Sequence, residues 1–243
     1  MKQGIFTIKS NKNLTANVLE MILEGDTSDI KRPGQFVNIK IDGLYLRRPI
    51  SVCYCSENKL TLIYKTVGKG TEKLSKMREG ERLDILTGLG NGFNIAKAGD
   101  KPVLIGGGVG VPPMYLLCKK LIEKGALPTV ILGFNTADEI FYKEEFEKLG
   151  VKTMITTVDG SVGIKGFVTD ALKEIDYTYY FCCGPMPMLK AVYNSCDTSG
   201  QFSFEERMGC GIGACMGCSC KTITGYKRIC TEGPVLEKEE ILW

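Results

Sequence analysis

The chain reads as multi-domain: an antiparallel β-barrel domain, an α/β domain with a parallel sheet, and a small C-terminal domain built on cysteine. Three observations predict this. Short apolar runs of strand length, separated by turn residues, fill residues 1–98, which is the pattern of a small barrel. Strand patterns then alternate with helical ones over residues 99–198, the mark of βαβ units. Residues 199–243 show little hydrophobic periodicity but hold Cys210, Cys215, Cys218 and Cys230, so this part is expected to owe its fold largely to a metal centre.

In the first part, strands are expected at residues 4–8, 16–23, 35–41, 50–54 and 60–66. Gly25-Asp26, Pro33-Gly34, Asp42-Gly43 and Glu57-Asn58 supply the turns between them. The one helical pattern is at 70–77. In the second part, strands are expected at 102–105, 129–134, 152–157 and 179–183, and helices at 113–124, 139–149, 169–175 and 187–196.

The cysteines are spaced C-x4-C-x2-C, followed after eleven residues by Cys230. This is the plant-type spacing for a [2Fe–2S] cluster. A loop can give three thiolates to one cluster only if its backbone turns sharply, and Gly209, Gly211, Gly213 and Gly217 permit such turns. The turned N–H groups can then point at the sulfurs. Structural zinc is the alternative, but such sites usually pair one C-x2-4-C with another. Disulfides would need an oxidising compartment, and no secretory signal is seen. Cys220 is a spare thiol whose C-x4-C-x4-C spacing fits less well.

Composition narrows the chemistry further. Of 243 residues 44% are apolar, enough for real cores, and the net charge of +3 comes without a long basic run, so nothing points to nucleic acid. The longest uncharged stretch, 103–118, is broken by glycines and by Pro112-Pro113 and is too short for a membrane span. Met1 leads straight into a strand pattern, so a cytoplasmic location with reduced thiols is expected. The chain has eleven cysteines and no histidine. That excludes Ser-His-Asp and Cys-His catalysis, Rieske ligation and His-ligated haem, and points to electron transfer rather than hydrolysis.

Residues 108–113, Gly-Val-Gly-Val-Pro-Pro, follow a strand pattern and open a helical one. Gly108 and Gly110 would let the backbone approach a pyrophosphate at a helix N-terminus, and Pro113 suits the first turn. The run departs from G-x-G-x-x-G by its final proline, and a Gly-rich turn is by itself often only a tight turn. Asn135-Thr136-Ala137-Asp138-Glu139 has no Arg or Lys before Lys143. A 2′-phosphate would want a cation there, so NAD(H) is expected over NADP(H), although the same residues also serve as a helix start. Arg47-Arg48-Pro49-Ile50-Ser51 begins a strand. An arginine there can pair with a phosphate, and Ser51 can reach a flavin ring nitrogen. Gly68-Lys69-Gly70-Thr71 opens a helix and is a second candidate phosphate cradle; each motif alone reads more readily as surface charge and turn chemistry, but two phosphate-type motifs in one small barrel are harder to dismiss. Cys183-Gly184-Pro185 lies at the carboxyl edge of the sheet, where ligands bind, so the thiol can lie against a nicotinamide. Cys182, Cys53, Cys55, Cys118 and Cys196 read as packing residues.

In this order the motifs resemble the ferredoxin–NADP reductase superfamily over the whole chain. Arg48-Pro49-Ile50-Ser51 is similar to its R-x-[YF]-[ST] flavin motif, with Ile50 in the aromatic place, and Gly68-Lys69-Gly70-Thr71 to its pyrophosphate loop. Residues 108–113 are similar to its G-x-G-x-x-P, and Cys183-Gly184-Pro185-Met186-Pro187-Met188 to its C-G-x-x-x-M. Residues 205–215 and 230–235, with Leu89-Gly90-Asn91-Gly92-Phe93 and Asp159-Gly160-Ser161, narrow the resemblance to the electron-transfer subunits of the dihydroorotate dehydrogenase B family.

The resemblance implies an FAD-binding domain at 1–98, an NAD-binding domain at 99–198 and a [2Fe–2S] domain at 199–243. It implies FAD on Arg48, Pro49, Ile50, Ser51, Ile63, Tyr64, Lys65, Gly70 and Thr71, and the cluster on Cys210, Cys215, Cys218 and Cys230. NAD(H) is then a diffusible substrate at Gly108, Gly110, Pro113, Cys183 and Gly184. The implied partner is an FMN-containing dihydroorotate dehydrogenase catalytic subunit, in a heterotetramer of two plus two. Electrons would pass between that FMN, the cluster, FAD and NAD+, in pyrimidine biosynthesis. FAD must stand in the middle, because it alone handles both hydride and single electrons. No catalytic acid or base is expected in such a chain. The alternatives are a subunit of an NADH-dependent ferredoxin oxidoreductase or sulfide dehydrogenase on the same scaffold, and a non-enzymatic iron–sulfur redox sensor. The sensor would not need both a flavin and a nucleotide motif.

Overall fold

The computed structural model describes all 243 residues. Its first part is a closed six-stranded barrel in the order β1-β2-β5-β4-β3-β6. The strands are β1 (Lys2–Asn13), β2 (Val18–Glu24), β3 (Phe36–Ile39), β4 (Arg48–Ser56), β5 (Lys59–Lys65) and β6 (Arg82–Leu89), with helix α1 (Lys69–Ser75) between the last two. Every barrel pairing is antiparallel. Alternate side chains such as Phe6, Ile8, Met21, Val37, Ile39, Val52, Leu62 and Ile85 fill the interior, as the period of two requires. Strand β6, which closes the barrel, is absent from the sequence-based expectation. Its Leu83, Ile85, Thr87 and Leu89 are buried in strict alternation, so its signal is there, diluted by the intervening charges and Gly88.

The second part is one side of a seven-stranded sheet, ordered β10-β9-β8-β7-β11-β12-β15. Strand β7 (Pro102–Gly107) leads to α2 (Val111–Glu123), β8 (Thr129–Phe134) to α3 (Lys143–Glu147), and β9 (Thr153–Thr157) to the short β10 (Ile164–Lys165) and α4 (Val168–Leu172). Strand β11 (Tyr179–Cys183) is followed by α5 (Met186–Ser195) and β12 (Gly200–Ser203). These strands run parallel. Their order reverses between β7 and β11, so a crevice opens at the carboxyl ends of these two strands.

The helix expected at 139–149 shrinks to α3. Ile140 is extended, and Tyr142 sits in the left-handed region at φ 64°, a conformation that costs about 1 kcal/mol or more for a non-glycine residue. The strain has a compensating contact. The Tyr142 hydroxyl donates to Glu20 Oε1 on the barrel at 2.7 Å, and its ring meets Tyr115 edge-on with centroids 5.2 Å apart. Cys53 and Ile63 of the barrel share a continuous core with Val111, Met114 and Phe146, so barrel and sheet are packed as one body.

The last part holds β13 (Ser219–Thr222), β14 (Gly225–Arg228) and β15 (Val235–Glu237). Strands β13 and β14 form a hairpin of their own, whereas β15 returns to pair antiparallel with β12. The line drawn at 198/199 from the sequence therefore falls just before a strand of the nucleotide sheet, and the cysteine segment hangs between two strands of that sheet. Asn91, from the end of the barrel, fastens it. Its Nδ2 donates to Glu232 O at 3.0 Å and Val235 O at 2.7 Å, and its Oδ1 accepts from Val235 N at 3.1 Å. Asn91→Ala should therefore cost about 1–3 kcal/mol, read as a lower midpoint in thermal or urea unfolding. An unchanged midpoint would show that the segment is held elsewhere.

Candidate functional site

Residues 209–218 wrap back on themselves so that amide N–H groups face sulfur. Cys210 Sγ accepts from Ile212 N at 3.5 Å, Ala214 N at 3.2 Å and Cys215 N at 3.4 Å; Cys215 Sγ accepts from Cys210 N at 3.4 Å and Gly217 N at 3.5 Å. These donors, led by Ile212 N–H, pull the Cys210 thiol down to about 6. Cys215 is exposed and Cys210 half-buried, whereas Cys218 and Cys230 are fully buried. Burial first, then contact with Cys218, pushes Cys230 up to about 11. The thiols thus form an outer and an inner pair, and no three of the chain's Cys, Asp and Glu groups close on a single-ion position. Cys220 lies in β13, half-buried against the core that holds Cys218 and Cys230.

The four glycines act in two ways. Gly211 and Gly213 take positive φ, 70° and 86°, as turns demand. Gly209 and Gly217 do not; a Cβ at either would stand 3.2 or 3.5 Å from Cys215 Sγ, so their bareness leaves room at the sulfur. A third positive φ in this turn belongs to Met216, at 60°.

On the barrel, Arg48 begins β4 and its guanidinium lies over Gly70, where any Cβ would overlap Nε. The same side chain donates to Leu46 O. Thr71 Oγ1 accepts from Val67 N at 2.9 Å, which shapes the turn into α1. A cation thus stands over a bare helix start, a cradle suited to phosphate. Pro49, Ile50, Ser51 and Lys65 are partly exposed. Ile63 faces the nucleotide part, in the core it shares with Val111. Tyr64 points into the barrel, its hydroxyl donating to Asn11 Oδ1 at 2.9 Å, so it offers an outside ligand only its backbone.

At the sheet's carboxyl edge, Gly108 has φ 51° and nothing within 4 Å of a would-be Cβ, so its backbone is open to a ligand. Gly110 is pressed against Cys183 O and Gly184 N, with no room for a Cβ, and Met188 covers Gly107 and Gly184. Pro112 and Pro113 lie in the first turn of α2 and are buried. The two expected nucleotide motifs are therefore one packed unit across the β7–β11 switch point. Burial pushes the Cys183 thiol up to about 12, with Ser203 pulling the other way; it stays neutral and is no nucleophile. The loops after β8 and β9 meet through Ala137 N, which donates to Ser161 Oγ at 2.9 Å. Glu139 is occupied with Asn135 N and Nδ2 at 3.1 and 2.8 Å.

Comparison with known proteins agrees with this geometry. The family model for the iron-sulfur cluster binding domain of dihydroorotate dehydrogenase B matches residues 205–242, and that for the oxidoreductase NAD-binding domain matches residues 104–194. A dihydroorotate dehydrogenase B (NAD(+)), electron transfer subunit from Geobacillus sp. (strain WCH70) is 44% identical over 100% of this chain and 99% of its own. One of the same description from Fusobacterium nucleatum subsp. nucleatum is 42% identical over 97% and 96%. Among solved structures, the NADH-dependent reduced ferredoxin-NADP oxidoreductase, reported for flavin-based electron bifurcation, superposes with a TM-score of 0.90 at 30% identity, covering 98% of this chain and 90% of that one. The ferredoxin reductase in carbazole 1,9a-dioxygenase, at 20% identity and a TM-score of 0.70 over 79% of this chain and 64% of that one, shares the fold.

The lowered Cys210 pKa has a direct test in metal-free protein. A depressed value means thiolate above about 6, so Cys210 should be alkylated by iodoacetamide well before Cys53, Cys182 or Cys183 at pH 7. Its rate should rise with a midpoint near 6; a midpoint at the ordinary thiol value would contradict the N–H···S geometry.

Proposed function

The chain belongs to the family of dihydroorotate dehydrogenase B (NAD(+)) electron transfer subunits, and on that premise we propose how its parts divide the work. It is an oxidoreductase subunit that works with a catalytic partner subunit, and its cofactors are FAD, an iron–sulfur cluster and NAD(H). We assign FAD to residues 1–98, NAD(H) to 99–198 and a [2Fe–2S] cluster to 199–243.

The residues present fit these groups. Four thiols, two of them served by five N–H···S contacts, are a donor set for a cluster of negative charge, and Cys210, Cys215, Cys218 and Cys230 would hold it. The cradle of Arg48, Gly70 and Thr71 would take the FAD pyrophosphate, while Pro49, Ile50, Ser51, Ile63, Tyr64 and Lys65 would line the flavin. Gly108, Gly110, Pro113, Cys183 and Gly184 would receive NAD(H). Bound FAD supplies the change from hydride to single-electron transfer. The chain's own residues do the rest. Arg48 neutralises phosphate charge, the Cys183 thiol keeps a neutral surface at the crevice, and the 210–217 amides offset charge on sulfur.

One observation carries this reading. Cys218 and Cys230 share a buried core with Phe36, and Phe36 is the strand partner of Ser51 in the flavin motif, so the two redox sites rest on adjacent strands. The ferredoxin oxidoreductase reading has the fold in its favour, but identity to that structure is 30% against 44% for the family named above. We further propose an FMN-containing dihydroorotate dehydrogenase as the catalytic partner, two copies of each subunit, and a place in the cytoplasm; no helix is long and apolar enough to cross a membrane.

Anaerobically purified protein should show flavin bands and a broad cluster shoulder, both bleached by NADH; a colourless protein would sink the assignment. Cys215→Ser should lose the cluster and keep FAD, so that NADH still reduces the flavin while dihydroorotate-dependent NAD+ reduction with the partner fails. Undiminished turnover would contradict the relay. Gly110→Ala drives a Cβ into Cys183 O and should raise KM for NADH roughly tenfold or more, with spectra of FAD and cluster unchanged.

A further inference from the structure

Asn38 stands between the two redox sites. Its neighbours Val37 and Ile39 enter the barrel core, so Phe36 and Asn38 point outward from β3. Both are nevertheless buried, at 3% and 1% exposure, because the cysteine segment lies on them. Asn38 Nδ2 donates to Cys210 O at 3.4 Å, and a Cβ on Gly211 would overlap that amide. On its other side, antiparallel pairing sets Asn38 opposite Pro49, as it sets Phe36 opposite Ser51, and residues so paired share a face. The Asn38 backbone O accepts from Arg47 Nη1 at 3.3 Å, and Arg47 is held by Asp84 at 2.9 Å.

A polar amide is an odd choice for this position, since apolar Phe36 covers the next one. Asn38 Oδ1 is buried and has no donor within the chain, which buried amides seldom tolerate. Exchanging O and N would set Oδ1 against Cys210 O, two acceptors face to face, so the orientation is fixed by the Cys210 contact. The amide is tied to the cysteine turn by its donor, and its acceptor has no partner within the chain.

We propose that Asn38 is the positioning residue that sets how closely the Cys210 turn approaches the flavin face of β4, and thereby the rate of electron exchange between them. The proposal rests on the assignment of FAD to the barrel and the cluster to the four cysteines. In the step concerned, one electron leaves reduced flavin and enters the oxidised cluster; Asn38 neither gains nor loses a proton.

The test uses the complete complex with its catalytic partner. Asn38→Leu keeps the bulk and removes the amide; Asn38→Ser removes the contact without crowding Gly211. FAD, iron and sulfide are measured first, then flavin reduction by NADH, flavin-to-cluster transfer and the EPR spectrum of the reduced cluster. Expected are parental cofactor content and parental reduction by NADH. Flavin-to-cluster transfer should slow by roughly tenfold to a hundredfold in the leucine variant and less in the serine variant, with shifted EPR g-values in both. Parental transfer and EPR in loaded variants would overturn the proposal, even if Tm fell, because Asn38 would then be structural only. Loss of the cluster from both variants would overturn it too, making Asn38 a folding residue of the ligand loop. Parental protein without flavin or cluster would instead overturn the underlying assignment.

Discussion

The pairing of β12 with β15 is the constraint on which the site depends. Three register pairs, Gln201 with Glu237, Phe202 with Leu236 and Ser203 with Val235, close residues 204–234 into a loop whose two ends lie on one sheet edge. Closing such a loop has an entropic cost that grows only slowly with length, so a short ladder backed by burial is enough. The burial is there: Phe202, Phe204, Ile229, Cys218 and Cys230 share one core with Val103 and Ile105 of the sheet and Phe36 and Leu89 of the barrel. Gln201, itself fully buried, accepts from Asn94 N at 2.9 Å and donates to the Tyr179 hydroxyl at 3.0 Å. The cysteine loop is therefore clamped against the linker between the other two parts, and all three are packed on one another.

That clamping explains the asymmetry among the thiols. Cys218 and Cys230 come from the part of the loop pressed onto the hydrophobic core, and there desolvation favours the neutral Cys230 thiol. Cys210 and Cys215 come from the outer turn, and there amide dipoles favour the Cys210 thiolate. Arg228, beside the turn, is tied to Glu232 at 3.0 Å and donates to Gly213 O at 2.9 Å, so it shapes the loop. The turn's negative charge is thus met chiefly by backbone. Backbone dipoles cannot be titrated, and the environment they give sulfur stays constant across the pH range in which the chain is folded.

Much of this was legible in the sequence. The barrel, the parallel sheet and the cysteine spacing follow from periodicity and from counting residues. The strands at 129–134 and 179–183 have the bounds expected of them. What was not legible has physical causes. Strand β12 is only Gly-Gln-Phe-Ser and β15 only Val-Leu-Glu, too short to carry a period; β12 exists because it pairs with β11, and β15 because it returns across a long loop to pair with β12. The helix at 139–149 has the right residues but loses its first half to the Tyr142–Glu20 contact, an interaction between distant parts of the chain. Asn38 looks like any polar strand residue, and only the loop lying over it reveals that it is buried.

The glycines of the nucleotide edge show how one motif can satisfy two separate demands. Read from the sequence, Gly108 and Gly110 serve one purpose, to let backbone approach a phosphate. In the structure Gly110 is bare because the Cys183–Gly184 peptide lies on it, and Gly107 and Gly184 because Met188 covers them. Only Gly108 has open space beside it, and it also needs its positive φ. A side chain at 110 would therefore run into the Cys183–Gly184 peptide and push the start of α2 away from the end of β11, whereas one at 107 or 184 would first displace the flexible end of Met188. A side chain at 108 would meet no protein atom, and would act on the backbone turn and on whatever occupies the crevice. Open space beside the backbone thus belongs to Gly108 alone among these glycines, and the bareness of the others serves the packing that holds the crevice at its width.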